Sequence, residues 1–262
     1  MDNKISVVIN TYNAERYLGK VLESVICFDE VLVCDMESTD KTLSIARDYG
    51  CRVVSFPRGR HRICEPARDF AIHSASNEWV LVVDADELVP SSLREYLYRK
   101  ISDGTFRDAL AIPRINRFMG EEFEEHSDYQ IRFFRKDMTS WPATIHSHPI
   151  IDGKIHKVPQ QRALSLIHLD NPSVAQRFDK LNVYTDYDLK RRGGKSYGWF
   201  NMIFRPFWFY FRSLFLLGFI RHGRKGVVRA YMDLSYQMML MSKIAENKLS
   251  QENNGDDDSR KD

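Results

Sequence analysis

Hydrophobic and polar residues alternate in blocks through the first third of the chain. Residues 5–9 are a β-branched run that predicts a buried strand, followed by a polar turn over 10–13 in which Asn13 is placed as a helix N-cap. Tyr17, Leu18, Val21, Leu22 and Val25 then recur at helical spacing, so a helix is expected to bury that face. Residues 31–34 predict a second strand ending at Asp35, and 36–42 are rich in cap formers. A helix through Tyr49, stopped by Gly50, leads to a third strand over 51–56. After a loop, Pro66 opens another helix that feeds the apolar run Trp79-Val80-Leu81-Val82-Val83. That run stops at Asp84, Asp86 and Glu87, and Pro90 and Ser91 begin the next helix.

Strands alternating with helices predict an α/β fold with a mostly parallel sheet. Ligands in such sheets bind outside the carboxyl ends of the strands. Thr11, Tyr12 and Asn13, then Asp35, then Asp84, Ala85 and Asp86 all fall at those ends, so three polar clusters converge on one edge. On an extended chain Asp84 and Asp86 share a face and would repel unless a cation lay between them. A hard divalent ion, Mg²⁺ or Mn²⁺, suits them, with substrate phosphates completing its shell. The alternative is a strand ending in a solvated acidic turn. Neither Gly-x-Gly-x-x-Gly nor Gly-x-x-x-x-Gly-Lys-Ser/Thr occurs, which sets aside a dinucleotide site and a P-loop. Carboxylates together with Arg68 and the basic loop Arg58, Arg60, His61 and Arg62 suit a nucleotide whose diphosphate is held through metal and arginine.

Composition narrows the picture. At 262 residues the chain is one large domain or a domain with an appendage, and a net charge of +2 gives no argument for nucleic acid. The four cysteines lack Cys-x-x-Cys spacing; Cys27 and Cys34 flank or lie in apolar stretches, as reduced, buried thiols of the cytosol would. The chain enters a strand almost at once, leaving no room for a targeting peptide, and no run of apolar residues is long enough for a membrane span.

The later chain changes character. Residues 119–128, hydrophilic and acidic, read as a mobile loop or equally as a simple solvated charge run. His146 and His148 are spaced to share a strand face, a geometry that allows metal ligation, although exposed loop histidines often bind nothing. His168 ends the apolar run 163–167, and residues 174–191 predict a charged helix. Beyond a break at 193–198, residues 199–220 carry ten aromatics interrupted by Arg205, Pro206 and Arg212, with more basic residues following. Aromatics mixed with arginine and lysine suit an interfacial helix on an anionic membrane surface; packing on the catalytic domain or a dimer contact is the alternative. A further helix is expected over 227–245 and a disordered polar tail over 247–262.

The stretches Val8-Ile9-Asn10-Thr11-Tyr12-Asn13-Ala14-Glu15, Val33-Cys34-Asp35-Met36-Glu37-Ser38-Thr39-Asp40-Lys41-Thr42, Ala67-Arg68-Asp69 and Val83-Asp84-Ala85-Asp86-Glu87 resemble successive motifs of the family 2 glycosyltransferases. The resemblance is closest to the lipopolysaccharide-core glucosyltransferase-like branch, which also suggests 116–120 and 128–136, and it covers about residues 4–170. It implies a GT-A catalytic domain over 1–170, with a nucleotide-sugar half to about 90, then a helical region 171–246. It places Thr11, Asn13, Glu15 and Asp35 around base and ribose, with Arg68, Asp84 and Ala85 on the nucleotide-sugar and Asp84 and Asp86 on the metal-bound diphosphate. His168 and His146 rank above His148 as further metal or diphosphate contacts, and Glu87, Arg117 and Arg132 are candidates on the acceptor side. Asp128 matches the general base of an inverting transfer, although Ser127-Asp128 stands where the family more often has an acidic pair. The implied partners are a nucleotide-diphosphate sugar, UDP-glucose by resemblance, and a glycan or lipid-linked acceptor at the cytoplasmic face of the inner membrane. A non-catalytic sugar-nucleotide-binding or scaffold protein, and a sugar nucleotidyltransferase, remain alternatives.

Overall fold

The computed structural model describes residues 3–59, 64–102, 104–123, 128–143, 148–192 and 196–258, with backbone alone for 191 and 251–258. The chain divides into two compact units, Met1–Arg117 with Glu124–Asp170, and Phe118–Phe123 with Asn171–Asp262.

In the first unit β1 (Ile5–Thr11), α1 (Leu18–Val25), β2 (Glu30–Asp35), α2 (Thr42–Asp48), β3 (Arg52–Ser55), α3 (Glu65–Ser74) and β4 (Trp79–Asp84) succeed one another as the periodicity predicts. The strand β5 (Glu87–Leu88), helix α4 (Ser91–Ile101) and strand β6 (Ala109–Phe118) follow. Past β7 (Glu121–Phe123), which belongs to the second unit, come β8 (Tyr129–Arg135), β9 (Thr139–Ser140), β10 (Ile150–Ile151), β11 (Ile155–Lys157) and β12 (Leu166–His168). The main sheet has the order β3-β2-β1-β4-β8-β6-β12-β5, with β11 beside β6.

Both faces of the central strands are covered, which is why their sequences are continuous apolar runs. Val7, Ile9, Leu81 and Val83 meet Leu18, Leu22, Leu93 and Leu97 of α1 and α4 on one side. Val8, Val80 and Val82 meet Ala67, Ala71 and Ile72 of α3 on the other. Parallel pairing sets Thr11 opposite Asp35 and Asn10 opposite Asp84, so the polar strand ends share one edge.

Pairing is parallel among β1, β2, β3 and β4, and antiparallel where β8 joins β4 and β6. Two expectations need correction. Asn13 does not cap α1, which starts at Leu18 behind Tyr17 with no side-chain cap bond; Asn13 instead takes a left-handed φ of +48° that its short polar side chain tolerates. Cys27 is exposed just beyond α1, whereas Cys34 is buried in β2, where burial, with Asp35 adding to it, pushes its thiol pKa up to about 12. All four cysteines are free.

The second unit contains α5 (Val174–Arg192), α6 (Trp199–Phe211), a π-helical turn over Arg212–Leu216, a 3-10 turn over Phe219–His222 and α7 (Gly223–Asp258). Its core includes Phe118, Phe123, Phe219 and Met232, with the Phe123 ring edge-on to both Phe118 and Phe219. Residues 119–123 are therefore no mobile loop: β7 is anchored by Phe123, which is 1 % exposed, and 124–127 lie outside the described residues. The polar stretch 247–258 continues α7, because a formed helix propagates at low cost per residue. Among the described residues no single helix is long and apolar enough to cross a membrane; Trp199–Leu216 and Phe219–Ser250 pass that test only together, bent by 69°.

Candidate active site

The loops after β1 and β2 are laced together. Thr11 Oγ1 donates to Asp35 Oδ1 at 2.9 Å, and Ser38 donates to the same carboxylate through its amide (2.9 Å) and hydroxyl (2.6 Å). The amide of Thr39 donates to Asn13 Oδ1 at 2.8 Å, and that of Lys41 to Glu15 Oε2 at 3.0 Å. Asn13, Glu15 and Asp35 thus hold the rim of this sheet edge in shape. Tyr12 stands exposed on that rim, with the Arg58 guanidinium 3.4 Å from its ring centroid. Arg60, His61 and Arg62 lie outside the described residues.

At the end of β4 the chain does not stay extended. Ala85 and Asp86 form a turn, closed by the Asp84 amide donating to Glu87 Oε2 at 3.1 Å, so the two aspartates face different partners. Asp84 receives Arg68 Nη2 on Oδ1 at 2.7 Å and Arg132 Nη2 on Oδ2. Burial alone would raise its pKa, but Arg132 and Arg68 outweigh it and hold the carboxyl well below the usual range. Arg68 and Arg132 supply the positive charge beside Asp84.

From Asp84 an alternating chain of charge runs through the interior. Arg132 also lies 3.6 Å from Glu87 Oε1, Arg114 Nη1 lies 3.3 Å from the same oxygen, and Arg114 Nε donates to Asp128 Oδ2 at 3.0 Å. Glu87 is 0 % exposed and Arg132 4 %, so both are buried within this network. Burial, reinforced by Asp84, raises the Glu87 pKa despite Arg132 and Arg114. Asp128 also accepts from Asn116 Nδ2 and Gln130 Nε2, each at 2.7 Å. Burial pushes its pKa up, but Arg114 and these two amides bring it below the usual carboxylate range.

His168 sits beside this network, Nε2 at 3.1 Å from Asp86 Oδ2 and Nδ1 at 3.2 Å from Asn116 Oδ1. Asn116 must turn its amide nitrogen to Asp128, which leaves its oxygen for His168 and assigns a proton to Nδ1. Burial lowers the His168 pKa, but Asp86 more than compensates and the net shift is upward. Of the other candidates, Arg117 is half-buried, His148 is exposed and outside any strand, and His146 lies outside the described residues.

Asp86 and His168 offer a carboxylate and an imidazole to a shared ion. No group of three His, Cys, Asp or Glu side chains disposed to hold a metal occurs among the described residues. The pair fits an ion that takes the rest of its shell from phosphate oxygens and water, as Mg²⁺-type sites do. Three arginines against Asp84, Glu87 and Asp128 leave the buried network formally neutral. An incoming diphosphate would therefore need added positive charge.

Sequence reasoning assigned no individual role to Asn10, Arg114, Asn116 or Gln130, and took Tyr12 only as part of a polar strand end. Asn10 is 8 % exposed, with both amide atoms buried and without a hydrogen-bond partner among the described residues, beside Asp84 in the sheet. A polar residue ending an otherwise apolar strand was the available signal. For Arg114 and Asn116 the signal was their i, i+2 spacing on either side of the apolar Ile115.

The mixed sheet flanked by helices, with carboxylates gathered at strand ends, resembles the GT-A fold of nucleotide-sugar-dependent glycosyltransferases. Residues 6–153 match Glycosyl transferase family 2, and the chain belongs to that family. It is 26% identical over 265 residues to an uncharacterized glycosyltransferase of Rickettsia typhi, covering 95% of this chain and 89% of the relative. It is 25% identical over 249 residues to the lipopolysaccharide core biosynthesis glycosyltransferase LpsC of Rhizobium meliloti, covering 92% and 91%. A solved fragment of TarS from S. aureus shares the fold at 17% identity with a TM-score of 0.50, covering 88% of this chain and 90% of that one.

Proposed function

We propose that this protein is an inverting glycosyltransferase that moves a hexose from a nucleotide-diphosphate donor onto a glycan or glycolipid acceptor of the cell surface. The observation that carries the reading is the gathering of Asp35, Asp84, Asp86 and Asp128 at one sheet edge of a family 2 chain, with Arg68, Arg132 and His168 among them. The relative named for lipopolysaccharide core biosynthesis supports the acceptor class. UDP-glucose as donor rests on resemblance alone. The site works peripherally, at the cytoplasmic face of a membrane.

In this reading Thr11, Asn13, Glu15 and Asp35 shape the seat for base and ribose, and Asn10 and Arg68 line the path to the diphosphate. Asp86 and His168 would hold a Mg²⁺ or Mn²⁺ ion, with Asn116 Oδ1 accepting a hydrogen bond from His168 Nδ1 and so orienting the ring. When bound, the ion supplies charge neutralisation to the departing diphosphate. Asp128 accepts the proton of the acceptor hydroxyl. Held by three donors it is a weak base, so the hydroxyl displaces Asn116 or Gln130 from it on binding.

The test is a thermal-shift screen of nucleoside diphosphates and their sugars with and without Mn²⁺, followed by product analysis. One nucleotide should give a metal-dependent shift that Asp86→Ala removes, and turnover should release nucleoside diphosphate and a product of inverted anomeric configuration. Pyrophosphate release would assign a nucleotidyltransferase instead, and silence with every nucleotide would sink the donor site.

A further inference from the structure

The helix α6 wears its chemistry inside out. Its packed side carries polar groups: Arg205 Nε donates to Gln237 Oε1 of α7 at 3.2 Å, and just beyond α6 the Ser213 hydroxyl donates to Asp233. Tyr210 stacks on Tyr231 at 5.5 Å between centroids, and Pro206 is buried. The outward side is aromatic. Phe200, Phe204, Phe207, Trp208, Phe211 and Phe215 are each between 47% and 61% exposed. At 100° per residue these six, with Ile203, fall on one arc of roughly 140° that contains no polar residue. A continuous apolar face of this kind on a helix surface marks a contact with something apolar.

The charge around this face identifies the occupant. Between Asp188 and Asp233 the chain holds ten lysines and arginines and no aspartate or glutamate; Arg192, Lys225 and Arg229 pair with Asp188, Glu121 and Asp233, and the excess of the segment is still positive. Two copies meeting through this segment would bring like charges together, whereas an anionic bilayer presents both an apolar interior and the opposite charge. A span by one straight helix does not fit, since Trp199–Leu216 reaches about 27 Å against a hydrocarbon core of about 30 Å, and it passes the test for length and apolarity only together with Phe219–Ser250 across a 69° bend.

We infer that α6 seats in the plane of an anionic lipid bilayer, its aromatic face in the boundary between head groups and acyl chains and the surrounding cations on the head groups. The exposed tryptophans fit that posture. Trp199 and Trp208 fall on opposite flanks of the arc, the positions that would lie at headgroup level. The inference deepens the peripheral-membrane part of the proposed function and needs none of its chemistry.

Trp79 and Trp141 are 4% and 7% exposed, while Trp199 and Trp208 are 74% and 54% exposed, so lipid-induced changes in tryptophan emission report on α6. The full chain is floated with vesicles of phosphatidylcholine alone and of phosphatidylcholine with 30% phosphatidylglycerol, in the absence of donor. Anionic vesicles should capture it at least tenfold more tightly, high salt should reverse most of that gain, and emission should shift to the blue. Bromine placed high on the acyl chains should quench Trp199 and Trp208 equally, tested singly in the Trp208→Phe and Trp199→Phe variants. Phe207→Glu with Phe211→Glu should weaken capture on the order of a hundredfold, by removing two buried rings, with the thermal unfolding profile unchanged.

Unequal quenching depths would overturn the in-plane seating. So would failure of the natural chain to bind vesicles, and a dimer that the double variant converts to monomer would name a second copy as the occupant. Loss of vesicle binding with an intact metal-dependent nucleotide shift would refute this inference alone, whereas vesicle binding without any nucleotide shift would refute only the transferase.

Discussion

The two units break the usual partition of polar and apolar surface in opposite directions. In the first, Arg68, Glu87 and Arg132 are at most 8 % exposed; in the second, α6 turns Phe200, Phe204, Phe207 and Trp208 outward. An exposed leucine or a surface lysine carries little information, but a buried charge or a broad exposed apolar face does. Each inversion has a cost that folding alone gives no reason to bear. In the first unit that cost is offset within the molecule, since every carboxylate of the network meets a guanidinium. In the second no described residue covers the aromatic face, and on the inference drawn above the compensating partner is a lipid surface. The contrast separates a site that organises chemistry from a surface that organises location.

The largest effect expected is on chemistry at the inner end of the charged network. Asp128→Asn should spare the metal-dependent nucleotide shift and lower transfer by about 10²–10⁴-fold, the range for loss of a general base. Turnover retained within a few-fold would reassign the base. Next comes Arg132→Ala, which leaves Asp84 and Glu87 with one cation fewer in a buried setting. It should cost about 3–5 kcal/mol of stability, read from chemical denaturation. An effect as small as that of the outward-facing Phe207→Glu would erase the distinction drawn here between the two units.

A smaller effect tests the second unit from within. A Cβ on Gly226 would lie 1.7 Å from the Phe219 carbonyl oxygen, so α7 passes the preceding turn at a distance only glycine permits. Gly226→Ala should destabilise this unit by roughly 1–3 kcal/mol through forced backbone shifts. Vesicle binding should weaken with it while the nucleotide shift of the first unit persists. An unchanged unfolding transition would show that the turn yields freely.

What could be read in the sequence follows from how each element is covered. β1, β2 and β4 are buried on both faces, so their apolar runs announced them, and the strand ends carried Thr11, Asp35 and Asp84 to a common edge by topology alone. β6 and β8 were hidden because one side of each faces the charged network: Arg114 and Asn116 flank Ile115, and Arg132 interrupts β8, which reads as a charged stretch. The pairing of Arg132 with Asp84 spans 48 positions and that of His168 with Asp86 spans 82, and no local pattern encodes such partners. Asn13 misled for a local reason, since a residue good at capping is also good at left-handed turns. Phe123 was masked by its acidic neighbours, although a lone aromatic in a hydrophilic stretch is a fair sign of an anchor.

The finest test concerns the tuning of Asp128 by Arg114. On the proposed reading Asp128 works deprotonated, so a carboxyl held below its ordinary value keeps the acid limb of kcat/KM at low pH. Arg114→Gln retains a hydrogen-bonding side chain but removes the charge next in importance after burial, so the Asp128 pKa should rise. The acid limb should move upward with it, while the plateau at higher pH changes little. Stability follows the same sign. A depressed carboxylate contributes stability above its unfolded pKa of about 3.9 and loses it as pH falls through the folded value. The variant should therefore lose its advantage over unfolding at higher pH than the natural chain does. If the limb stays fixed while stability alone falls, Arg114 serves only to pair the buried Glu87, and the charged network supports the fold without setting the base.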